Sequence, residues 1–100
     1  MYNPSVILGT CIIELYLPGV HSLKEKRRIL KSLIARLHRE FNISCAEVAL
    51  HDAWQSASIG VAVVTTSQVH AQDVIRTVMH WIERNRPEID IVGETVEILY

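Results

Sequence analysis

Apolar side chains recur along this chain with a period of two in some stretches and of about 3.6 in others, and the order of those stretches predicts the fold. Residues 6–17, VILGTCIIELYL, are rich in β-branched side chains and read as a strand. Ile7, Cys11, Ile13, Leu15 and Leu17 form one apolar face. Thr10, Glu14 and Tyr16 make the other face more polar, with Leu8 and Ile12 as interruptions. Pro18-Gly19 ends the strand with turn chemistry. Ser22, with Glu25 three residues later, is a capping box that starts a helix at Leu23. Leu23, Leu30, Leu33, Ile34, Leu37 and Phe41 form its apolar stripe, and Lys24, Arg27, Arg28, Lys31, His38 and Arg39 occupy an adjoining sector. Asn42 marks the exit.

Residues 43–51 and 57–66 read as two strands joined around Asp52-Ala53-Trp54-Gln55, the second with Ile59, Val61 and Val63 on one face and Ser58, Gly60 and Ala62 on the other. Ser67 caps a second helix over 68–85 whose buried stripe is Ala71, Val74, Ile75, Val78 and Ile82, and Asn85-Arg86-Pro87 stops it. Residues 90–99 form the last strand. The order βαββαβ predicts an α+β, ferredoxin-like sandwich occupying residues 1–100 as a single domain. Right-handed crossovers place both helices on one face of a four-stranded antiparallel sheet of order 4-1-3-2 and leave the other face open. Strands one and two are then not neighbours, so Cys11 and Cys45 are expected to stay unbonded.

Composition narrows the setting. One hundred residues, 49% hydrophobic and 21% charged, suit one domain that needs no metal or disulfide staple. No stretch approaches ~20 uncharged apolar residues, no secretory signal pattern opens the chain, and the two cysteines form no CxxC pair. A cytoplasmic location without membrane association is therefore expected. A net charge of −1 and a pI near 6.5 argue against a protein that coats nucleic acid over its whole surface.

The charge is nevertheless strongly segregated. Residues 21–41 hold seven of the ten Lys and Arg against two acids, Glu25 and Glu40, which gives that segment about +5 and the rest of the chain about −6. Lys24, Lys26, Arg27 and Arg28 crowd the first two turns of the helix, where the macrodipole favours acids. The pairs Lys24/Arg28 and Arg27/Lys31 each cost about 0.2–0.5 kcal/mol of like-charge repulsion. A cluster held against local electrostatics points to an anion or RNA surface, strengthened by helix N-terminal amides. Its principal phosphate contacts are expected to be Lys24, Arg27, Arg28 and Lys31, with Lys26, Arg36, His38 and Arg39 peripheral. The opposing expectation is a solvated face neutralised by acids from elsewhere, such as Glu94 or Glu97.

Other candidates carry less. The open sheet face offers only Tyr16, Ser58, Gly60 and Ala62 where an RRM has base-stacking aromatics, so that mode of RNA recognition is not expected. Leu8, Ile12 and Val64 would leave an apolar patch there, which suits a second subunit or a partner. His51 and Asp52 invite an acid–base reading, but neighbours in a strand point to opposite faces and no Ser or Cys nucleophile accompanies them. Trp54 is expected to anchor the hairpin by packing and Asp52 to bond turn amides. His21, His38, His51, His70 and His80 show no ligand spacing, so no metal or other cofactor is expected. An acylphosphatase-type enzyme would need a phosphate-cradling Arg after the first strand, and Pro18-Gly19-Val20-His21 lacks it. No catalytic residue is assigned.

The segment LPGVHSLKEKRRILKSLIARL, followed by FNISCAEV, the DAWQ connection and IGVAVV, resembles the YlxP-like family of small bacterial proteins. The likeness runs from about residue 8 to residue 82 and more loosely to the last strand. It implies the same ferredoxin-like sandwich. The family has no established activity, and its genes often lie near those for translation initiation and ribosome maturation factors, which implies ribosome or RNA work. The expectation is a non-enzymatic module that binds RNA or a ribosomal particle through its first helix. The alternative is a homo-oligomeric protein-interaction module, with a dimer as the expected state.

Overall fold

The computed structural model describes residues 2–99. Its elements are β1 (Ile7–Tyr16), α1 (Leu23–Glu40), β2 (Ser44–Ala49), β3 (Ser56–Thr65), α2 (Gln68–Asn85) and β4 (Asp90–Leu99). They form one antiparallel sheet ordered β2-β3-β1-β4, the 4-1-3-2 order expected from the sequence.

Register explains the one-sided core. Cys11 faces Val61, and Ile13 faces Ile59, so the odd positions of β1 and β3 share one side of the sheet. These side chains are buried against Leu30, Leu33 and Leu37 of α1 and Ile75, Val78 and Ile82 of α2. Both apolar stripes read from the sequence therefore meet the same face. The even positions, including Leu8, Ile12, Gly60, Ala62 and Val64, form the opposite face, on which no helix packs. Extra residues in the edge strands shift the pairing at Val48 of β2 and Val92 of β4.

Both helix starts follow their capping residues. Ser22 Oγ accepts from the Glu25 amide at 3.1 Å, and Glu25 Oε2 accepts from the His21 amide at 3.3 Å, which completes the capping box. Ser67 Oγ accepts from the His70 amide at 3.2 Å.

Cys11 and Cys45 flank Val61 from its two neighbouring strands. Two strand spacings separate them by about 10 Å, well beyond disulfide reach, and both thiols are free. Burial pushes the Cys45 thiol from its ordinary 9.0 up to about 11. Burial also raises Cys11, with the charge of Glu94 adding to the shift and a backbone hydrogen bond at Thr95 opposing it. An acid whose folded pKa is raised stabilises the fold below the unfolded pKa and loses that contribution as pH climbs toward the folded value. The wild type should therefore lose stability between pH 9.0 and about 11, and the loss should be smaller in Cys45→Ala. Thermal melts of the two proteins across that interval check it.

Candidate nucleic-acid interface

At about 100° per residue, Lys24, Arg27, Arg28, Lys31, His38 and Arg39 share one stripe of α1. Buried Leu30, Leu33 and Leu37 occupy the far side of the same helix. All six stripe residues are exposed. The stripe is thus the outer face of the molecule, opposite the core rather than beside it, and from Lys24 to Arg39 it runs about 22 Å. Among the described residues, Lys24, Arg27, Arg28, Lys31 and Arg39 have no carboxylate within ion-pair distance. Glu94, one of the two acids that could have neutralised them, borders a groove beside α2 with Arg76 and His80. Glu97 sits opposite Thr10 on the open sheet face. The capping box engages the amide of Glu25 in the first turn of α1 and that of His21 before it.

Two members of the expected set do not belong to the ridge. Lys26 is 0% exposed. Its Nζ donates to the carbonyls of Leu50 at 2.6 Å and Ala53 at 2.7 Å, and it lies 3.0 Å from Glu47 Oε2. That carboxylate oxygen is buried and takes no aligned hydrogen bond, so the third contact is an ion pair of opposite charges. The expectation that Lys26 contacts phosphate at the margin of the site is therefore replaced by a structural role. The signal was present in the spacing, since Lys26 falls at helical intervals with Leu30, Leu33 and Leu37. Arg36 turns away from the ridge toward α2. Its guanidinium lies 5.5 Å from the centre of the Trp81 ring, a cation–π contact that joins the two helices, and 3.6 Å from Glu40 in a partly exposed ion pair within α1.

Lys26 also shapes the β2–β3 connection. The turn closes with Ala53 donating to Leu50 O at 3.0 Å, and Leu50 holds a left-handed backbone with φ of 63°. That conformation costs a non-glycine residue about 1–2 kcal/mol, and it accompanies a carbonyl turned to the buried ammonium. Gln55 completes the anchorage: Nε2 donates to Pro18 O at 3.2 Å and Val20 O at 3.1 Å, and its own carbonyl accepts from Leu17 N at 2.8 Å. The DAWQ segment is thereby fastened to both ends of the β1–α1 connection. Trp54 itself is 56% exposed. Packing of the indole is not what holds the hairpin, contrary to the sequence expectation, and exposed Asp52 is not what fixes the turn; Lys26 and Gln55 do so.

On the open sheet face, Ser58 donates to Glu14 across the β1–β3 pair, while Ile12, Tyr16, Val64 and Leu99 remain exposed. His70 and His80 are exposed on α2. Among the described residues no group of three or more His, Cys, Asp or Glu side chains is placed to hold a metal ion. Among the described residues no helix is long and apolar enough to cross a membrane.

The chain superposes on the de novo designed protein Foldit4 with a TM-score of 0.49 at 11% identity, over 96% of this chain and 98% of the other. It is 34% identical over 84 residues to the Uncharacterized protein YlxP of Bacillus subtilis (strain 168), covering 84% of this chain and 90% of that protein. Residues 8–95 match the family model described as Protein of unknown function (DUF503). That span takes in the capped basic helix, the Lys26 anchorage and most of the sheet of order β2-β3-β1-β4, and the chain belongs to this family, as its YlxP-like sequence features indicated.

Proposed function

We propose that this protein is a non-catalytic module that docks on RNA or a ribonucleoprotein particle such as the ribosome through the outer face of α1. The observation that carries the reading is the row Lys24, Arg27, Arg28 and Lys31, exposed and without acidic partners among the described residues. Four cations on one face supply a sequence-independent attraction to phosphates. His38 and Arg39 extend the row toward the C-terminal end of the helix. Changing Lys24, Arg27 and Arg28 together to Ala should weaken RNA binding about 10- to 100-fold at low salt and reduce the salt slope by about 2 to 3. Fluorescence anisotropy titrations at several salt concentrations read both quantities. Unchanged affinity and slope would reject the proposal.

A second reading places a second copy of the chain on the open sheet face, which exposes Ile12, Tyr16, Val64 and Leu99. In that case the protein is a homodimeric interaction module and the charged helix addresses a protein. Light scattering at high concentration separates the readings.

A further inference from the structure

Trp54 poses a physical question that the basic ridge does not answer. Its indole is 56% exposed although a fully buried lysine lies under the same loop. The residues on both sides are anchored, Ala53 through its carbonyl by the Lys26 ammonium, and Gln55 through its carbonyl by Leu17 and through its side-chain amide by Pro18 and Val20. A large aromatic group held on a fixed loop has little freedom to fold back into the core, and more than half of its surface stays open to solvent. A stacking platform needs that arrangement: rigid, accessible and little ordered further by binding. The loop also lies against the N-terminal half of α1 through Lys26. Lys26, which bonds Ala53, immediately precedes Arg27 in α1, and Arg27 follows it by about 100° around the helix. Of the ridge cations Arg27 is thus the one nearest the loop around the helix, while Lys24 and Arg28 point about 160° away from Lys26.

We propose that Trp54 stacks on an unpaired RNA base while Arg27, and beyond it the other cations of the α1 ridge, hold phosphates of the same strand, so that the ligand is single-stranded rather than duplex RNA. This rests on the RNA reading above and names its ligand class. Bases within an A-form helix are covered by their neighbours and its major groove is closed to side chains, whereas unpaired bases can splay onto an aromatic face. The sheet face, where an RRM would place such aromatics, has Ser58, Gly60 and Ala62 in β3 and only Tyr16 in β1, which is less exposed than Trp54 on the loop.

The test uses the full chain with Trp81→Phe, which leaves Trp54 as its one tryptophan. The probes are an unstructured oligouridylate and an RNA duplex with the same number of phosphates. Oligouridylate should quench the Trp54 fluorescence saturably, and the duplex should leave it nearly unchanged. In the otherwise native chain, Trp54→Ala should weaken oligouridylate binding about tenfold with no change in salt slope. Trp54→Phe should keep most of the affinity. Wild-type oligouridylate affinity in Trp54→Ala, beside clear loss in the Lys24/Arg27/Arg28 triple variant, would overturn the stacking proposal and leave the RNA reading standing. Equal weakening toward duplex and single strand on Trp54→Ala would also overturn it. Absence of binding to either RNA by the wild type at low salt would remove both.

Discussion

Lys26→Ala is expected to destabilise the protein by about 3–5 kcal/mol, the cost of breaking a buried ion pair from one side. The ammonium is the partner of Glu47 Oε2, which is buried and has no aligned hydrogen bond. It also serves the carbonyls of Leu50 and Ala53. Truncation leaves a carboxylate without its counter-charge, the Ala53 carbonyl without its donor, the Leu50 carbonyl with only the Ala53 amide, and a void under the β2–β3 connection. Each kcal/mol lowers the midpoint of a domain this size by roughly 4–8 °C, so the variant should melt well over 10 °C below the wild type. Lys24→Ala, two residues earlier on the exposed face, should fall within about 0.5 kcal/mol of the wild type. Lys26→Met combined with Glu47→Leu removes both charges and keeps most of the volume, and it should recover a large part of the loss. Urea denaturation of the four proteins measures these differences. Equal midpoints for Lys26→Ala and Lys24→Ala would show that the buried ammonium does not hold the loop.

That pair of lysines also shows what could be read from the sequence. The capping box, the alternation of β1 and the stripe Ala71, Ile75, Val78 and Ile82 are local patterns, and each appears in the structure where the spacing put it. Position 26 was equally legible as a core position, but its charge suggested water. What reverses that preference is Glu47, on a strand about twenty residues later and facing the helix side of the sheet, together with two carbonyls from the following turn. No spacing rule in α1 announces those partners. Arg36 is similar, since Trp81, which draws it off the ridge, belongs to α2. Trp54 inverts the case: an aromatic residue in a turn suggests an anchor, and its exposure follows only once Lys26 and Gln55 have fixed the loop. The cations with no long-range partner are the ones the helical period located correctly.

Gly9→Val is expected to cost at least about 3 kcal/mol, the upper part of the range for overpacking a tight core. Gly9 lies in β1 beneath the first turn of α2. A Cβ there would stand 2.9 Å from Ala71 Cβ, 3.1 Å from Val63 Cγ1 and 3.4 Å from Ile75 Cδ1. The nearest atom is fixed directly to the backbone of α2, so no rotamer change relieves the contact and the helix itself must move outward. Even Gly9→Ala should destabilise by about 1–3 kcal/mol, although replacing a strand glycine by alanine otherwise gains about 0.5–1 kcal/mol in backbone entropy. Gly60→Ala provides the comparison. Its Cβ would meet Val48 Cγ1 at 2.8 Å, the end of a side chain on an edge strand facing solvent, which can turn aside for less than about 1 kcal/mol. The coupling can be isolated by combining Gly9→Ala with Ala71→Gly. If the two Cβ atoms are the obstacle, the double variant should be more stable than the sum of the single losses predicts. Because α2 carries none of the α1 ridge, folded Gly9→Ala should bind RNA as the wild type does, and stability and binding would then separate by element. Wild-type stability in Gly9→Val would mean that α2 stands further from β1 than these distances place it.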